Sequence, residues 1–121
     1  MTNFLEETID KITSCDKTIE DVDWVGSDDG KYVISWNEFA KIANIDYYSG
    51  FGLQYIAMDL VVVFNDGSYL YREEYDGSEG WSYAETPRRQ YGAKTFEYVR
   101  SEDGYETVEI INGKMSRGDN V

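Results

Sequence analysis

Three observations predict an α+β fold, a twisted antiparallel sheet of hairpins with two short helices packed on one face. Four Asp-Gly pairs, at 29–30, 66–67, 76–77 and 103–104, punctuate runs rich in β-branched and aromatic residues. Two early stretches carry capping residues followed by apolar positions at helical spacing. The Asp-Gly pairs are separated by 37, 10 and 27 residues, so they mark hairpin turns and not a repeat array.

Taken in order, Asn3 and Glu6 form a capping pair, and Leu5, Ile9 and Ile12 recur at helical spacing. They predict an amphipathic helix over 3–14, and residues 18–22 read as a further helical turn. In VDWVGSDDGKYVIS, Asp29-Gly30 suits a two-residue type I′ loop, whose central residues both need positive φ, and this sets Asp28 opposite Lys31. Ser35 and Glu38 have the form of a capping box. With the stripe Phe39, Ile42 and Ala43 they predict a second helix over 36–45, followed by the link DYYSGFG.

The strongest strand pattern is MDLVVVFNDGSYLYREEY. Leu60 to Phe64 is apolar throughout, as in a central strand covered on both faces. A two-residue turn at Asp66-Gly67 pairs Phe64 with Tyr69, Val62 with Tyr71, Val61 with Arg72, and Asp59 with Glu74. Directly opposed carboxylates destabilise a ladder, so the strands diverge there, Arg72 bridges to Asp59, or a cation comes from outside. A turn at Asp76-Gly77 then leads to a short strand at 81–83 and a basic loop, PRRQYGAK, at 87–94. A last hairpin joins 94–100 to 105–111 across Asp103-Gly104, which makes residues 1–111 one domain and 112–121 a flexible tail.

The 121 residues suffice for one core, and 41% are hydrophobic. There are 24 acidic and 11 basic residues, a net charge of −13. Such a surface repels nucleic acid and anionic membranes and attracts basic protein surfaces. One cysteine, Cys15, permits no internal disulfide, which fits the reducing cytoplasm. MTNFLEETIDKI lacks the pattern of a signal peptide, and the longest apolar run, 60–64, is far too short to span a bilayer. Without histidine and with one cysteine no zinc site is expected. The Asp-Gly loops also lack calcium-loop spacing, and no phosphate loop, dinucleotide fingerprint or nucleophile elbow occurs. No metal, no cofactor and no enzymatic activity are therefore expected.

Residues 70–85, LYREEYDGSEGWSYAE, crowd carboxylates and rings around one arginine. Acids spaced along a strand imitate the phosphates of a duplex, which carries one charge per about 1.7 Å of axis, while Tyr and Trp supply rigid contact area. The predicted partner-binding residues are Glu73, Glu74, Tyr75, Asp76, Glu79, Trp81 and Tyr83, with a second cluster at Asp21, Asp23, Asp28 and Asp29. The competing expectation is that Tyr69, Tyr71 and Trp81 line the core and the acids form a solvated rim. A small hydrolase using the 73–79 acids is a remote alternative, because Glu73 and Glu74 point to opposite faces of a strand.

The runs WVGSDDGKYVISWNEFAKIA, GFGLQYIAMDLVVVF and EYDGSEGWSY resemble small uncharacterised acidic proteins of phages and bacterial mobile elements, over about residues 20–87. That group brings no assigned catalytic residues. The resemblance implies a viral or mobile-element setting, in a host cytoplasm. There, an acidic inhibitor binding a basic groove on a restriction or CRISPR component is the expected function. An immunity-type or structural protein that binds a toxin or a second copy of itself is the alternative.

Overall fold

The computed structural model describes residues 1–50, 53–87 and 89–119. Phe51 and Gly52 of the expected link, Arg88 of the basic loop and residues 120–121 of the expected tail lie outside them. The fold is α+β, with one two-stranded and one five-stranded antiparallel sheet. The chain divides into two compact units, Met1–Pro87 and Arg88–Val121.

In the first unit, strand β1 (Thr2–Asn3) leads into helix α1 (Phe4–Ser14). Asn3 caps the helix, its side chain accepting from the Glu6 amide at 3.0 Å. The buried stripe is Phe4, Thr8 and Ile12, while Ile9, expected inside, is exposed. A 3₁₀ turn at Ile19–Asp21 precedes β2 (Val22–Ser27) and β3 (Val33–Ile34). Helix α2 (Trp36–Ala43) starts at the expected capping box of Ser35 and Glu38 and buries Phe39 and Ala43, leaving Ile42 outside. Next come β4 (Asp46–Tyr47), which pairs with β1, then β5 (Leu60–Phe64), β6 (Tyr69–Tyr75) and β7 (Ser78–Ala84). The larger sheet has the order β3-β2-β5-β6-β7. Helices α1 and α2 pack on one face of it, where Phe4, Ile12, Phe39 and Ala43 meet Val25, Val62, Phe64, Leu70 and Trp81.

The β5–β6 register differs by one residue from the expected pairing. Val61 pairs with Tyr71, Val62 with Leu70 and Val63 with Tyr69. The cause is the turn. Only Gly67 has positive φ there, +87°, and Phe64 donates to the Ser68 carbonyl, so the loop holds three residues, Asn65 to Gly67, and not two. Asp66 fixes this form by accepting from the Ser68 amide at 2.9 Å and from its hydroxyl, and from Lys17 Nζ at 2.6 Å. A slip of one residue exchanges the faces of a strand. Leu70 and Arg72 therefore enter the helix-covered side, and Tyr69 and Tyr71 take the opposite side. The expected Asp59–Glu74 opposition does not form, since β5 begins at Leu60.

The other hairpins separate by chemistry. At Asp76-Gly77 both residues have positive φ, +50° and +84°, a true type I′ turn joining Tyr75 to Ser78. At 28–31 the register is the expected one, but only Gly30 has positive φ, because the Asp29 carboxylate accepts from Ser27 Oγ and from the Lys31 amide.

In the second unit the expected hairpin of 94–100 with 105–111 is replaced by helix α3 (Val108–Asp119), and residues 112–119, expected as a tail, are helical. Thr107 starts this helix, its hydroxyl accepting from the Ile110 amide at 3.3 Å. Asn112 then holds residues 97 and 98, accepting from both amides and donating to the Tyr98 carbonyl. Lys114 reaches Asp103 and Glu106 across the Asp103-Gly104 turn.

Candidate functional site

Two arrangements of side chains sit in the sheet of the first unit, one buried and one open. The buried one centres on Arg72, which is 5% exposed. Its Nη1 donates to Glu7 Oε1 at 3.1 Å, and Nη2 donates to Glu79 Oε2 and to the Tyr47 hydroxyl, both at 3.0 Å. Tyr47 in turn donates to both Glu7 oxygens, and Glu79 Oε1 accepts from the Tyr55 amide at 2.7 Å. The guanidinium carbon lies 4.8 Å from the Trp81 ring centroid, 5.2 Å from that of Phe4 and 5.8 Å from that of Tyr47, a cation enclosed by π-faces. Burial, and then the bond to Glu7, push the Tyr47 phenol up to about 12. Only Arg72 Nε lacks a partner among the buried side-chain nitrogens and oxygens of the described residues. The group ties α1, β4, β6 and β7 together and leaves its carboxylates engaged.

The open arrangement lies on the face of the sheet opposite the core that α1 and α2 cover. Tyr69 and Tyr71 reach it through the register of β6, with ring centroids 6.0 Å apart. Trp24 reaches it through a β-bulge. Val22 pairs with Phe64 and Trp24 with Val63, so Asp23 is an extra residue that re-aims the indole away from the core. Val61 and Val63 form the floor, Leu60 and Arg72 also line it, and Met58, Asp28 and Asp59 border a groove of about 400 Å³. The neighbouring strand β7 presents only Ser78, Gly80, Ser82 and Ala84 on this side, so the rings stand clear of it. Neither Asp28 nor Asp59 is within ion-pair distance of a cation among the described residues.

The eleven predicted partner-binding residues do not share one surface. Glu79 and Trp81 are buried on the helix side, Glu79 against Arg72, and Trp81 with its Nε1 donating to Thr8 Oγ1 at 2.8 Å. Both nevertheless line, with Glu73, Tyr75 and Asp76, a shallow groove of about 390 Å³ at the β6–β7 hairpin. Tyr83 is half-buried on the same side, packed on the core, and donates to Glu85. Glu73 lies on the open face and accepts from Ser82, while Glu74 accepts from the Gly77 amide at 2.8 Å. Tyr75, 83% exposed, and Asp76 stand at the hairpin tip. Asp21 caps the 3₁₀ turn through the Thr18 amide, and Asp23 is exposed at the bulge. The Ser27 hydroxyl, followed by the Lys31 amide, lowers the Asp29 carboxyl from its usual range. Asp28 alone of the eleven borders the open groove beside Trp24. The groove's other principal residues, Trp24, Met58, Asp59, Tyr69 and Tyr71, were not among those expected.

Among the described residues no group of three or more His, Cys, Asp or Glu is placed to hold a metal ion, and no helix is long and apolar enough to cross a membrane. Comparison with known protein families, with curated proteins and with solved structures found no match.

Proposed function

We propose that this chain is a non-enzymatic, acidic protein-binding inhibitor whose partner carries a basic surface. The observation that carries the reading is the open face, a ring-lined groove with two carboxylates unneutralised at its border, on a chain of net charge −13. A duplex imitated by an unbroken row of acids has less support, because the expected row is divided between the core, the hairpin tip and the turns. Against a carboxylate hydrolase stands the engagement of Glu79, which shares a groove with Glu73 and Asp76 but is held by Arg72 at 3.0 Å. The setting implied by the resemblance, inhibition of a nucleic-acid-handling defence component, names the class of partner in which basic grooves are common.

The test is affinity capture from bacterial lysate by the full chain, at low and high salt, with duplex DNA as competitor and the captured protein identified. A basic partner is expected, released as salt rises and displaced by DNA. Capture that is indifferent to salt and DNA, with sedimentation showing a dimer, would replace this reading by self-association through an apolar face.

A further inference from the structure

The geometry points to a more specific ligand: the groove on the sheet face opposite α1 and α2 is a receptor for a single arginine side chain presented by an extended segment of the partner protein. This rests on the protein-binding reading and names the chemistry of that binding. A guanidinium needs a planar surface to stack on and carboxylates at its edge, with an apolar channel for its three methylenes. Trp24, Tyr69 and Tyr71 supply the surfaces, Val61 and Val63 the channel, and Asp28 and Asp59 the border charge. Asp28 N donates to the Asp59 carbonyl at 2.8 Å, so the fold sets the two acids side by side on adjacent backbone.

The chain itself shows the same chemistry on the other side of the sheet. There Arg72 is enclosed by Phe4, Tyr47 and Trp81 and paired with Glu7 and Glu79. The open groove repeats rings plus two carboxylates; Arg72 also lines it, but the guanidinium is held by Glu7, Glu79 and Tyr47 and makes no ion pair with Asp28 or Asp59. Lysine fits less well, because its compact, strongly hydrated ammonium does not stack.

The experiment titrates the intact chain with the blocked tripeptide Gly-Arg-Gly, following amide and indole resonances by NMR, beside the same peptide carrying neutral, isosteric citrulline. Arginine is expected to shift Trp24, Val61, Val63, Tyr69 and Tyr71 with millimolar affinity and citrulline to bind at least about tenfold more weakly. The double change D28N/D59N should lower arginine affinity by about tenfold, while D10N/D46N, equal in charge but on α1 and β4, should leave it within about twofold. Circular dichroism confirms that each variant is folded. Equal binding of citrulline, shifts spread over the acidic surface, equal loss in the two double variants, or no binding of arginine would each overturn the proposal. Partner capture that survives D28N/D59N would also overturn the groove while leaving the inhibitor reading intact. Loss of capture by the native chain would instead reject that broader reading.

Discussion

Replacing Arg72 by methionine leaves Glu79 buried without a cation beside it, and loss of one member of such a pair costs about 3–5 kcal/mol. Denaturant unfolding of Arg72→Met should show that loss as a lower midpoint at unchanged slope. Adding Glu79→Gln should recover part of it, since the stranded charge is then removed while an acceptor for the Tyr55 amide remains. Tyr47 makes the same cluster sensitive to alkali. Its folded phenol titrates at about 12 against about 10 for an unfolded tyrosine, so the folded state holds the proton more tightly. The associated stability is complete below pH of about 10 and is lost as pH rises towards about 12. An alkaline unfolding series should show this slope, and Tyr47→Phe should lack it.

At the scale of elements, much was legible where local chemistry decides. Asn3, Ser35 with Glu38, and the Asp76-Gly77 turn each declare themselves by side chains bonding to nearby backbone or by tolerance of positive φ. The β5–β6 loop was not legible in the same way, because Asn-Asp-Gly fits two- and three-residue turns alike. The choice rests on Lys17, 49 residues away in sequence, and Ser68 converging on Asp66. The slip hid the candidate groove by assigning Tyr71 and Arg72 to the wrong sides, and the bulge at Asp23 hid Trp24. Helix α3 was missed because its Thr107 cap lay inside an alternating pattern that also suits a strand. Two measurements test these elements. Gly26→Ala would place a Cβ 1.8 Å from the Tyr32 carbonyl oxygen, so the β2–β3 hairpin must shift, at a cost on the order of 1–3 kcal/mol in thermal or denaturant unfolding. Asn112→Ala should accelerate hydrogen exchange at the Glu97 and Tyr98 amides, which lose their acceptor, while leaving the five-stranded sheet protected.

For the molecule as a whole, charge sets the response to solution conditions. A net −13 on 121 residues brings self-repulsion that added salt screens. The midpoint of thermal unfolding should therefore rise from low to moderate sodium chloride. A midpoint that falls would mean that attractive pairs outweigh repulsion in the folded state. The same salt should weaken binding to a basic partner, so stability and affinity should move in opposite directions along one titration. The grip on Arg72 also has a bearing on biosynthesis. It draws on residues 7, 47, 72 and 79, so the leading helix emerges from the ribosome long before its final neighbours exist. Closure of the nascent domain must wait for β7: Phe39 and Tyr47 can meet Phe4 and Glu7 earlier, but the Trp81 ring that stacks on Phe4 and the Glu79 carboxylate that holds Arg72 come last.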